Sequence, residues 1–287
     1  MYAVAGVTGH TGSKVALNLL KQGKEVRAIV RTREPVYKWR DRGAEVAVAD
    51  LNDSSALSQA LAGVQGAYLL TPQNVQDDHP LERWARQNQS LVDAVLKSKC
   101  PHTVFLSSMG AHQNKPSGLV HALHDAEQKF MKAGVPVTFL RAAYFYENWI
   151  PALEAVQEMG RLPTFLKPRL AVPMVSVEDV ARTAVDLLLN PPEDSRIVEL
   201  SGPREYSPQD VVTILEQSLG KAVSILPFKE GGWEAVWGDE ELPEEMNHLL
   251  NATYDGFNKK RIVFSGKQVE SREGSIMLEE VLGKWVV

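Results

Sequence analysis

A doubly wound parallel α/β sheet is the fold this sequence predicts, and three observations carry the prediction. The chain opens on a short apolar run, Tyr2-Ala3-Val4-Ala5, thrown straight into Gly6-Val7-Thr8-Gly9-His10-Thr11-Gly12, with an amphipathic helix pattern behind it. Strand-like and helix-like segments then alternate through the first half, as βαβ units with right-handed crossovers require. The length of 287 residues and 44% hydrophobic content suit one full core with a smaller appended region.

The elements follow in order. Val15, Leu19 and Leu20 give the first helix its apolar face, and Val26 to Arg31 is the second strand. Val46 to Leu51 is the third, with Asn52, Asp53 and Ser54 placed to start a helix. Gly66 to Pro72 is the fourth strand. Trp84, Asn88, Leu91, Val92 and Val95 fall at helical spacing in a helix ending near Lys99. His102 to Leu106 makes strand five, Ala122 to Lys132 a helix, and Pro136 to Leu140 strand six. Beyond Arg141 the regularity loosens: Gly160 to Pro173, with three prolines and two arginines, reads as a loop with a short strand. Ser176-Val177-Glu178-Asp179 has the form of a capping box for a helix stopped by Pro191-Pro192, and Ser207-Pro208 opens another. Leu242, Met246, Leu249, Leu250 and Phe257, then Leu278, Val281, Leu282 and Trp285, mark two further helices whose stripes read as core.

Composition excludes several classes. A net charge of −5 gives no reason to expect direct nucleic-acid binding. No apolar run is long enough to cross a membrane, and no internal repeat is visible. Cys100 is the only cysteine, so no intramolecular disulfide can form. With the first strand beginning at residue 2, the expected location is cytoplasmic.

The glycine triplet reads as a dinucleotide site. Gly6 turns the chain at the strand end, Gly9 lets a pyrophosphate approach the backbone, and Gly12 lets the helix pack closely on its strand. Thr8, His10 and Thr11 complete the loop. Where an acid would bind a ribose 2′-hydroxyl, the chain carries Arg31, followed by Arg33, Lys38, Arg40 and Arg42 against only Glu34 and Asp41. Such cations suit a 2′-phosphate and so NADP(H), although the same run also reads as a solvated basic face. Asp50 and Leu51 are placed to contact adenine, and Thr71 and Pro72 to border the cofactor farther along.

Several segments resemble the NmrA-like branch of the atypical short-chain dehydrogenase/reductases. They are Gly6-x-x-Gly9-x-x-Gly12, the basic end of strand two, Gly43-Ala44-Glu45-Val46 leading to Asp50-Leu51-Asn52-Asp53, and Gly134 to Arg141 followed by Tyr144-Phe145-Tyr146-Glu147-Asn148. The resemblance implies an NADP(H) site, and a function among quinone reductases, triphenylmethane dye reductases and redox sensors without turnover. In the wider superfamily a serine and a Tyr-x-x-x-Lys pair catalyse carbonyl chemistry, the lysine lowering the tyrosine pKa. This chain keeps Ser107 and Ser108, but the positions expected for the pair are Leu119 and Leu123, and no tyrosine lies between Tyr68 and Tyr144.

The expected catalytic candidates are therefore His121, Ser107 and Tyr144, with Ser107, Tyr144 and Phe145 also beside the cofactor and Met109, His121, Phe145 and Asn148 lining a substrate pocket. His121 suits proton donation but equally reads as an exposed helix histidine. The serines equally satisfy backbone groups, and Tyr144 to Trp149 equally reads as aromatic packing. His121 and His124 alone make poor metal ligands, and no metal is expected. The division expected is residues 1–150 as the nucleotide domain, with 175–200 returning to it, and 151–174 plus 201–287 as the substrate region. The function expected is an NADPH-dependent reductase of quinone-like or other conjugated small-molecule acceptors. A non-catalytic NADP(H) sensor is the alternative. A homodimer or a regulatory protein partner is compatible with either.

Overall fold

The computed structural model describes residues 1–115, 117–228 and 242–285; the parts of the expected substrate region at 229–241 and 286–287 lie outside them. The first half runs β1 (Tyr2–Val4), α1 (His10–Lys21), β2 (Val26–Val30), α2 (Val36–Arg40), β3 (Glu45–Val48), α3 (Ser54–Ala60), β4 (Gly66–Leu69), α4 (Pro80–Ser98), β5 (Thr103–Ser108), α5 (Val120–Ala133) and β6 (Val137–Ala142). After it come β7 (Tyr144–Phe145), a 3₁₀ segment (Tyr146–Ala152), α6 (Leu153–Met159), β8 (Arg161–Thr164), β9 (Val172–Val175), α7 (Val177–Leu189) and β10 (Arg196–Ser201). The described chain finishes with β11 (Glu205–Tyr206), α8 (Pro208–Leu219), β12 (Ser224–Pro227), α9 (Glu244–Asn258), β13 (Glu270–Glu273) and α10 (Leu278–Leu282).

The large sheet has eight strands in the order β13-β10-β6-β5-β4-β1-β2-β3, every neighbouring pair parallel. The chain moves outward from β1 to β3 and then returns to β4 on β1's other side. That reversal opens a crevice at the carboxyl ends of β1 and β4, where open α/β sheets bind ligands. One buried cluster, including Val4, Val15, Leu19, Tyr68, Val180 and Leu188, packs α1 and α7 on one face. Another, including Ile29, Leu57, Leu91, Phe105, Phe130 and Phe139, packs α3, α4 and α5 on the other. Central strands buried on both sides read as continuous apolar runs, which is why they are legible in sequence.

The differences are local. Residues 160–173 give two strands, β8 and β9, paired respectively with β12 and with β7 and β11. Edge strand β13 has no apolar signature at all: its sequence is Glu-Ser-Arg-Glu, held by Arg196 to Glu270 at 3.0 Å and Arg272 to Asp186 at 2.6 Å. Although it lies within 201–287, β13 joins the large sheet beside β10. At Ser176 only half the capping box forms. The hydroxyl accepts from the Asp179 amide at 2.9 Å, while the Asp179 carboxylate instead accepts from the amide of Ile276 at 2.9 Å.

Candidate functional site

The three glycines do three different things. Gly6 holds φ at +66°, and a Cβ there would stand 2.7 Å from Leu70 Cδ2. A Cβ at Gly12 would run into the carbonyl oxygens of Ala5 and Gly6, so this glycine lets α1 start hard against β1. Gly9 is extended (φ −97°, ψ −176°) and exposed, and the nearest atom to a Cβ is Gly6 O at 3.4 Å. The protein itself thus makes little steric demand at Gly9.

Gly9 caps α1 without a side-chain bond, and no acid stands in the first turn. By contrast, Asp53 caps α3, Ser176 caps α7 and Ser207 with Asp210 forms a full box on α8. An uncapped helix start with unneutralised positive dipole is suited to an anion. A groove of about 340 Å³ lies against it, lined by Thr8, Gly9, His10, Lys14, Lys38 and Arg42 among others. The Arg42 guanidinium stacks 5.1 Å over the buried ring of Trp39, and Lys14 reaches Glu178 at 3.3 Å. Arg31 and Arg33 are exposed beyond β2 and do not line this groove. Of the basic run, Lys38 and Arg42 are the residues the fold turns toward the loop. Thr11 is buried in the first turn of α1. Asp50 is exposed beyond β3, its carboxylate accepting from the Asn52 amide at 2.8 Å, and Leu51 is half-buried.

On the other side of β1, Thr71 and Pro72 follow β4. Thr71 is buried and donates to Asn88 Oδ1 at 2.5 Å, while Asn88 Nδ2 donates to Ala122 O and Asp125 Oδ2, both at 2.8 Å. This chain ties the β4 loop to α5. The Ser107 hydroxyl, 2% exposed, donates to Glu127 at 2.6 Å, and Arg141 grips the same carboxylate at 2.9 and 2.6 Å. Glu199, 3.5 Å from Arg141, accepts from the amides of Ser265 and Gly266 at 2.8 and 3.0 Å. Burial opposes ionisation of Glu199, yet those amides and Arg141 hold its carboxyl below the ordinary value. Ser107 is therefore engaged in a buried ion network. Ser108 turns to its neighbour's carbonyl, Met109 O, at 3.1 Å, and Met109 is fully buried.

His121 is exposed on the first turn of α5. His124 is occupied with Ala111 O at 2.8 Å, and no group of three metal-ligating side chains occurs among the described residues. Leu119 and Leu123 are half-buried, Leu119 packing beside Trp84, Met246 and Leu250 beneath α9. Tyr144 is buried against Trp149 and Phe257, with ring centroids 6.1 and 5.6 Å away, and its hydroxyl lies 3.5 Å from that of Tyr254. Phe145 beside it is half-buried and Asn148 exposed.

Two neighbours are not evident from the sequence pattern. Glu147 accepts the Val177 amide at 3.1 and 3.0 Å; burial raises its carboxyl, opposed by that amide and by the charges of Lys14 and His10. Tyr254 ties α9 to β7 through the hydroxyl of Tyr144. Its helical stripe signals packing and nothing more.

The NmrA-like family model matches residues 2–276. The chain belongs to the NmrA-like family. Among curated relatives is an NAD(P)H azoreductase of Xenophilus azovorans, 27% identical over 258 residues, covering 88% of this chain and 86% of that one. An NADPH-dependent quinone oxidoreductase from Escherichia coli, solved with NADPH, superposes with a TM-score of 0.83 at 22% identity, covering 99% of both chains. A triphenylmethane reductase from Citrobacter sp. superposes with a TM-score of 0.82 at 24% identity, again over 99% of both. These likenesses confirm the doubly wound fold over its full length. Among the described residues of this NmrA-like chain, no helix is long and apolar enough to cross a membrane.

Proposed function

We propose that this chain is an NADPH-dependent reductase of flat conjugated acceptors, quinone-like or azo-like, that works without a Tyr-x-x-x-Lys pair. The observation that carries the cofactor assignment is the uncapped, acid-free start of α1 beside a groove with Lys14, Lys38 and Arg42. Residues 9–12 would hold the pyrophosphate on backbone amides, and cations of 31–42 would meet the 2′-phosphate. Asp50 and Leu51 would border adenine; Thr71, Pro72, Tyr144 and Phe145 would border the nicotinamide. When bound, the reduced nicotinamide supplies a hydride.

The acceptor class follows from what α5 lacks and what α9 adds. Leucine at 119 and 123 can transfer no proton, which disfavours simple ketones, whose reduction concentrates charge on one oxygen. Delocalised acceptors need less help, and holding them in line for transfer supplies much of the catalysis. Tyr144, Trp149, Phe257, Phe165 and Tyr254 form a continuous aromatic array suited to flat rings, Phe165 and Tyr254 lying 5.1 Å apart. The names of the relatives, an azoreductase, a quinone oxidoreductase and a triphenylmethane reductase, support this reading.

Steady-state oxidation of NADPH against a panel of quinones, azo dyes and triphenylmethane dyes tests it. Turnover of at least one class supports the reductase. Tight NADPH binding that alters protease sensitivity, with no turnover of any acceptor, would assign the chain to a sensor role instead.

A further inference from the structure

We propose that the paired hydroxyls of Tyr144 and Tyr254 are the proton-donating site for the acceptor, a role that rests on the reductase reading above. His121 lies exposed on α5, and Ser107 is spent on Glu127. Tyr144 stands just past the carboxyl end of β6, the same end of the parallel sheet at which the β1–β4 crevice opens, and its hydroxyl meets that of Tyr254 on α9 at 3.5 Å. The pair joins the chain past β6 to α9 and is flanked by packed rings, Trp149 and Phe257 against Tyr144 and Phe165 against Tyr254. Asn148 supplies a further polar contact to Tyr144. A polar pair set in an aromatic wall fixes the orientation of a flat ligand that carries an oxygen or nitrogen at its edge.

Burial holds both phenols above the ordinary tyrosine value, so neither ionises at neutral pH and each keeps an O–H to offer, which is given up only as negative charge builds on the acceptor oxygen with the arrival of hydride. For a quinone the balance is complete. The acceptor takes up a hydride and becomes a hydroquinone monoanion. The Tyr144 O–H bond breaks, an O–H bond forms on the acceptor oxygen, and the phenolate takes the proton of Tyr254, which regains one from water. A cationic triphenylmethane dye is different: hydride alone neutralises its carbon centre, and no proton is required.

That contrast gives the test. Tyr144→Phe and Tyr254→Phe remove only oxygen, and each is compared with wild type on a naphthoquinone and on a cationic triphenylmethane dye. The ratio of quinone to dye turnover is expected to fall at least about tenfold in Tyr144→Phe, by less in Tyr254→Phe, and no further in the double variant. Binding gives a second readout. Quenching of tryptophan fluorescence should show naphthoquinone weakened about three- to tenfold by Tyr144→Phe, and naphthalene hardly at all. An unchanged turnover ratio, or equal weakening of naphthoquinone and naphthalene, overturns the assignment. If wild type reduces neither acceptor, the reductase reading itself has failed.

Discussion

At the scale of single residues, Gly9 and Gly12 look alike in sequence and answer to different constraints. Gly12→Ala forces a methyl group into two backbone carbonyls, so the melting temperature is expected to fall by roughly 5 °C or more. Gly9→Val meets open backbone, and there the fold should survive with its melting temperature within about 2 °C while nucleotide binding is lost. Calorimetry and thermal melts on the two variants separate these outcomes, and unfolding of Gly9→Val would assign that residue a structural role. In the proposed site, Arg31 meets the 2′-phosphate and so sets the preference for NADPH over NADH. A charge-assisted phosphate contact implies that Arg31→Ala weakens NADPH by about one to two orders of magnitude and leaves NADH nearly unchanged. Should Lys38→Ala on α2 or Arg42→Ala just past it show that loss instead, the cations lining the groove read the phosphate.

At the scale of elements, the clearest lesson is how buried charge fastens the ends of the strands. Arg141, Glu127 and Glu199 are each at most 3% exposed, and together they join β6, α5, β10 and the segment at 265–266. Arg141→Met leaves two buried carboxylates without their counter-charge, and a loss of about 3–5 kcal/mol in denaturant unfolding is expected. Adding Glu127→Gln and Glu199→Gln should restore much of it. Central strands were legible because burial on both faces leaves an apolar run, and Ser207-Pro208 was legible because cap chemistry is local. β13 was not, since a charged edge strand is specified by Arg196 and Asp186, far away in the chain. The same limit applies to the candidate site. The glycine loop is contiguous and readable, whereas the Tyr144–Tyr254 contact spans 110 residues and needs the fold to bring it together.

Across the whole molecule, folding is coupled to pH through His102. It is 2% exposed at the start of β5, with Thr138 Oγ1 3.5 Å from Nε2. Burial, aided by the charge of Arg196, lowers its pKa to about 4. Below the unfolded value of roughly 6.5 the unfolded chain takes up a proton that the native state refuses. This contribution to stability is therefore present in full above that value and declines as pH falls toward the folded pKa. Unfolding free energies measured between pH 7 and 4 should show that slope, and His102→Gln should flatten it; an unchanged slope would remove His102 from the account.

The central claim, that this fold reduces conjugated acceptors without a Tyr-x-x-x-Lys pair, is tested most directly by one comparison of initial rates. NADPH oxidation is followed with a naphthoquinone and with a simple cyclic ketone at equal concentration, and the reverse reaction with NADP and the matching secondary alcohol. The account predicts turnover of the quinone at least about a hundredfold faster than of the ketone, with negligible alcohol oxidation. Efficient reduction of the ketone, or oxidation of the alcohol, would contradict it, because that chemistry calls for a tyrosine whose pKa a lysine lowers, and the positions expected for that pair hold Leu119 and Leu123.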